Sequence, residues 1–238
     1  MKIHLKLFIV IAFSLLSLSS FAKKEIQGNK NVKTRTITIE SEFSGVHVSD
    51  GISLIISTSK KISIKAEMDG NLHDYLLTEV KDGILHISFK EKIGKRKASN
   101  IYVKSNNIKS LSVDEEADIT NSVLLTIPSL SLNSNTGGSM NLNLKADKIV
   151  LNANDNSEIE LIGTCQFLVA NCNTGSSLEA NELITQKAEL VASEESDIAV
   201  FVKEKIKVKA NVDSSIECSG DPIEKEIDPL SVGTIFIK

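Results

Sequence analysis

Six carboxylates recur at matched places in the second half of the chain: Glu115, Asp118, Asp155, Glu158, Glu194 and Asp197. They are the set of side chains whose type and spacing invite chemistry. Carboxylates lined along one face can bind Ca²⁺ through oxygen, and paired carboxylates serve hydrolysis or lysis of polysaccharides. A lyase also needs a basic residue at the reacting carbon, and the turns carrying these acids contain no Lys or Arg. The G-G-x-G-x-D nonapeptide that builds calcium sites in other β-rolls is absent as well. A solvated, solubilising edge is the favoured reading, with a ligand-binding edge as the sharper alternative. The scarcity of aromatic residues, 4% with no Trp, weakens a cleft that stacks sugars.

No other constellation competes. His47, His73 and His86 lack metal-ligand spacing along the chain, and although folding could bring them together, a solvated or core-satisfied histidine is the favoured reading of each. No G-x-S-x-G elbow, H-E-x-x-H or P-loop occurs. Cys172 and Cys218 fall at inward positions of a repeat, two coils apart and too far for a disulfide, and Cys165 pairs with Cys172 only if a corner brings them close. The sequence therefore assigns no catalytic residue, no metal ligand and no cofactor, and the protein is expected not to be an enzyme.

The acids owe their spacing to a repeat. Aligned on the apolar residue that follows a polar turn, the second half is anchored at Ile119, Met140, Ile159, Leu178, Ile198, Ile216 and Ile235, with intervals of 18 to 21 residues. Apolar or small residues stand two positions after most anchors, and again six and eight before. Each unit is thus a short period-two strand, a five-residue polar turn and another short strand. Such a repeat is too short for a propeller blade and has no helical pattern. A parallel β-solenoid with coils of about 20 residues fits it, preceded by a region of short strands. Five positions before the anchors lie Asp114, Asn135, Asn154, Asn173, Ser193 and Asn211. These are structural residues first: Asn tolerates left-handed backbone, and stacked Asn amides bond to one another at about 4.8 Å spacing. The acids crowd alternate turns, which keeps like charges roughly 9.6 Å apart.

Residues 1–22 have the form of a secretory signal, with Lys2 and Lys6, an apolar Leu7–Leu18 stretch and a small-x-small site ending at Ala22. The expected organisation is a signal over 1–22, a linker over 23–36, an N-terminal β region over 37–107 and solenoid repeats over 108–238. No segment after the signal is long and apolar enough to span a membrane as a helix. Residues 23–107 carry 15 basic and 10 acidic side chains, whereas 108–238 carry 10 and 21. The acidic half speaks against nucleic acid as a partner. The basic run Lys90, Lys92, Lys95, Arg96 and Lys97 is expected as a solvated loop, and the spacing of Leu72, Leu76 and Val80 permits one short helix. The pattern leaves open whether the first-half strands form a separate sheet or opening coils, and a continuous or closely packed arrangement is favoured because a solenoid needs its open end covered.

Several segments together resemble a known family. Phe43-Ser-Gly-Val-His-Val, Gly51-Ile-Ser-Leu-Ile-Ile, Ile62-Ser-Ile-Lys-Ala and Gly83-Ile-Leu-His-Ile-Ser-Phe, followed by the recurring polar-Gly/Ser-x-Ser-x-Ile turns, are similar to the bacterial putative autotransporter adhesin family, head GIN domain. The resemblance covers roughly residues 37–238. It implies a right-handed β-helix-like fold in an exported envelope protein. Alternate turns depart from the family's Ser-Gly-Ser-Gly by carrying acids. The functional expectation is an exported protein of the periplasm, outer surface or exterior, acting as an adhesin or scaffold through its β-helix face on a macromolecule of the envelope or surface, such as a glycan. The alternative is a glycan-active or Ca²⁺-dependent glycan-binding β-helix protein using the acidic turns.

Overall fold

The period-two pattern of the second half becomes a stack of parallel strands in the structure, a computed structural model that describes residues 25–238. The expected signal segment lies outside the described residues. The first half contributes β1 (Val32–Ile37), β2 (Gly45–Val48), β3 (Ser53–Ser57), β4 (Ser63–Asp69), β5 (Leu76–Lys81), β6 (Ile84–Phe89) and β7 (Ser99–Lys104). Then follow β8 (Ser110–Val113), β9 (Asp118–Asn121), β10 (Leu125–Ser134), β11 (Ser139–Ala153), β12 (Glu158–Cys172), β13 (Ser177–Ala192) and β14 (Asp197–Ala210). The chain closes with β15 (Ser215–Ser219), β16 (Glu224–Ile227) and β17 (Thr234–Ile237). All 17 strands join one hydrogen-bonded sheet, wound into a parallel β-solenoid of about 7 turns of roughly 19 residues.

The anchors form a single core column. Ile119 pairs with Met140, Met140 with Ile159, Ile159 with Leu178, Leu178 with Ile198, Ile198 with Ile216 and Ile216 with Ile235. All but the last are buried, so each coil contributes its apolar face to a continuous interior. Long strands turn corners where two successive side chains point outward, as at Asp147-Lys148 and Gln166-Phe167. Gly163 sits at another irregularity: its φ is +116°, and a Cβ there would lie 2.1 Å from the Leu144 carbonyl oxygen. Only glycine fits this close backbone approach.

Four of the first-half strands, β2, β3, β6 and β7, are coils of the same stack. β2 and β3 lie parallel to β8 and β9, while β6 and β7 lie parallel to β2 and β3 on the other side. The coil of residues 84–104 therefore stacks outside the coil of residues 45–57, and spatial order departs from chain order. Antiparallel strands cover that end: β4 on β7, β1 on β4 and β5 on β6. Closing the end this way blunts an otherwise free apolar edge. The expected helix near Leu72 is confined to one 3₁₀ turn, Leu72–Asp74, because the following residues are recruited as β5 by the Asp82-Gly83 hairpin. Asp69 is fully buried and knots this cap together by accepting backbone N–H bonds from Lys30, Lys97 and Ala98 at 2.7, 3.1 and 3.2 Å.

The far end is looser. β16 runs parallel to β14 over four residues, flanked by the ion pairs Lys205–Glu224, Lys207–Glu226 and, just past it, Lys209–Asp228, and its own side chains are all exposed. Ile223, Leu230, Val232 and Phe236 are exposed there as well.

Candidate functional site

The polar turns stack into a ridge along one edge of the solenoid. Two consecutive residues have left-handed backbone in six of the turns, Asp50-Gly51, Glu115-Glu116, Thr136-Gly137, Asp155-Asn156, Thr174-Gly175 and Glu194-Glu195, and Asp213 alone in the next. The sequence suggested the preceding Asn for this role, but the strain falls on the two residues after it. Those Asn instead have ladder geometry, as their spacing foretold. Asn173 Nδ2 donates to Asn154 Oδ1 at 3.1 Å, Asn154 to Asn135 at 2.9 Å, and Asn135 to Asp114 Oδ1 at 2.8 Å. Beneath it runs a buried serine ladder: Ser157, Ser176, Ser196 and Ser214 each donate to a carbonyl one coil back, Ser176 to Ala153 at 2.9 Å.

The six sequence-selected acids all lie on this ridge, in two columns. Asp118, Glu158 and Asp197 share a flank column with hydroxyl residues in the order Ser53, Asp118, Ser139, Glu158, Ser177, Asp197, Ser215. Ser53 donates to Asp118 at 2.7 Å and Ser215 to Asp197 at 2.5 Å. Glu115, Asp155 and Glu194 alternate with Thr136 and Thr174 at the turn tips, where Thr174 donates to Glu194 at 3.0 Å. The fold gathers each trio into a line while a hydroxyl-bearing coil separates its members, so no carboxylate pair forms within either trio.

Chemistry concentrates where the ladder ends, at the first turns. Asp114 Oδ2 lies 2.6 Å from His47 Nε2, and His47 Nδ1 lies 3.2 Å from His86 Nδ1, with the rings nearly perpendicular at 83°. The parallel pairing of β2 with β6 sets His47 directly beside His86. Linear spacing could not show this, because the two strands are neighbours only through the crossed coil order. The three side chains are half-buried. Next to them, Asp50, Gly51, Lys92, Ile93, Arg96, Glu115, Glu116 and Thr136 line a cleft of about 430 Å³. The basic run is thus not merely a solvated loop. Arg96 reaches under the turn to donate to the Gly51 carbonyl and, at 2.9 Å, to Ser99 Oγ, bringing cations to a turn whose own sequence has none. The Asp50 carboxyl beside Glu115, by hydrogen bond and then by charge, pushes the Glu115 pKa above its ordinary value. The thiols are buried and inert: desolvation raises Cys165 to about 11 and Cys172 to about 12, and all three cysteines are free.

The model of the family described as putative auto-transporter adhesin, head GIN domain, matches residues 42–222. The chain belongs to this family. Among solved structures, this GIN-domain chain is similar to a putative adhesin from Bacteroides fragilis, at 22% identity and TM-score 0.81 over 90% of this chain and 100% of that one. A putative adhesin from Parabacteroides merdae follows the same fold at 18% identity and TM-score 0.68, over 90% of this chain and 99% of that one. A putative lipid binding protein from Parabacteroides distasonis does so at 22% identity and TM-score 0.66, over 89% and 99%. At these identities the likeness is one of fold. No curated protein matches the GIN-domain chain. Its described residues include no helix long and apolar enough to cross a membrane.

Proposed function

We propose that the chain is exported and acts outside the cytoplasm as a non-enzymatic adhesin or scaffold, holding a macromolecule of the cell envelope or surface against its turn ridge. The observation that carries this reading is the register of that ridge: carboxylate and hydroxyl residues alternate coil by coil along the flank column, from Ser53 to Ser215. A rigid row of hydrogen-bonding groups repeated every two coils, roughly 9.6 Å, suits an extended partner that makes the same contact many times, each weak and all additive in avidity. Membership in an adhesin family and the signal-like first 22 residues support the same direction. The relatives' names speak of adhesion and lipid binding rather than catalysis.

The test is an unbiased capture from envelope and matrix fractions, comparing wild type with Asp118→Asn, Glu158→Gln, Asp197→Asn combined. Wild type should retain a surface polymer or protein, and the neutralised ridge should lose at least tenfold of it with thermal stability unchanged. Equal capture by both, or none by either, would overturn the ridge as the binding face. Protein recovered outside the cytoplasm should begin at Lys23.

A further inference from the structure

Asp114 accepts from Asn135 through one oxygen and faces His47 Nε2 through the other, so the 2.6 Å contact puts a proton on that nitrogen. In neutral His47 the Nδ1 is then a bare lone pair. The 3.2 Å contact between the two Nδ1 atoms makes His86 the donor and His47 the acceptor. The asparagine ladder fixes this sense from behind, since every amide in it donates toward Asp114. A carboxylate holding one imidazole nitrogen so that the other presents its lone pair is how proteins orient metal-binding histidines. Two imidazole nitrogens at about 2.05 Å from one tetrahedral Zn²⁺ stand about 3.3 Å apart, close to the separation observed between His47 and His86.

We propose that His47 and His86 together form a two-nitrogen site for a late first-row divalent ion, Zn²⁺ or Cu²⁺ in class, positioned by Asp114. The ion takes the place of the proton between the rings. His86 moves that proton from Nδ1 to Nε2, which leaves the ring neutral and frees its Nδ1 lone pair. Each ring swings by up to about 40° to aim its lone pair at the ion rather than at the other nitrogen. Glu79 pairs with His86 across the β5–β6 hairpin, on the same face of the sheet. Among the described residues no three His, Cys, Asp or Glu side chains are already grouped for a metal ion. Water or a donor from the surface partner completes the sphere, and affinity is well below that of a four-ligand structural site.

The experiment titrates tag-free protein with Cu²⁺ and, separately, Zn²⁺ by calorimetry, and records the electron paramagnetic resonance of the Cu²⁺ form. One equivalent should bind, with splitting from two nitrogens. His47→Ala and His86→Ala should each weaken binding at least tenfold, and Asp114→Asn about 10–100-fold. His73→Ala, whose ring bonds the Lys33 carbonyl on the cap, should change nothing. His86→Gln keeps a hydrogen-bonding neighbour for His47 and separates loss of a ligand from loss of fold. Binding that persists in both His47→Ala and His86→Gln, or no saturable equivalent at up to about 1 mM metal, a limit of weak affinity, would overturn the assignment.

Discussion

Glu115 holds a left-handed turn position with its carboxyl against Asp50, and that neighbour raises its pKa. A carboxyl raised on folding binds its proton more tightly in the native state than in the unfolded chain. Native stability therefore falls as pH rises from the ordinary Glu value, 4.5, through the raised one, and is regained below that window. Glu115→Gln removes the like-charge contact, so thermal melts should show it more stable than wild type at neutral pH and no better at pH values below the carboxylate range. The side chain is largely exposed, which makes the gain small. A buried residue gives a contrasting case. Ser176 is 1% exposed, and its hydroxyl donates to the Ala153 carbonyl, which also accepts the Asn173 N–H at 2.9 Å. Ser176→Ala leaves that carbonyl one partner and should cost about 1 kcal/mol in denaturant melts.

At the scale of the coil, backbone geometry decides. Gly163→Ala would drive a methyl into the Leu144 carbonyl at a φ that L residues rarely adopt, so the β11–β12 pairing must shift. A loss of about 2 kcal/mol or more is expected on chemical denaturation. The apolar pattern of β12 gives no hint of this, since Gly163 merely interrupts an alternating run. The coils themselves were legible because a buried column at a fixed interval leaves a period in the sequence: Ile119, Met140, Ile159 and Leu178 are both the anchors of the pattern and direct neighbours in space. The Asn ladder was legible for the same reason. The His47–His86 pair was not, because it depends on a coil stacked out of chain order, and crossed order leaves no period. Nor was the seat of Arg96 under the first turn, which rests on a loop of nine residues packing across 45 positions of sequence.

For the whole molecule, a stack in which each coil touches only its neighbours should lose stability according to where along the stack it is damaged. Ile159 is fully buried between Met140 and Leu178, with covered coils on both sides. Ile235 occupies the same column in the last coil, where it is only partly buried and meets Ile216 on one side. Asp at either place puts a charge against apolar neighbours, but water reaches the last coil and leaves the middle one dry. Ile159→Asp should therefore cost several kcal/mol and lower the melting temperature of the entire stack. Ile235→Asp should fray β15 to β17 and leave the rest standing. Hydrogen exchange reads this directly. In wild type, protection should be high from β8 through β13 and fall toward β16, a four-residue ladder on β14 whose side chains add only solvent-facing ion pairs that salt should loosen further. If Ile235→Asp melted the protein as completely as Ile159→Asp, the solenoid would be one cooperative unit rather than a stack of coupled coils.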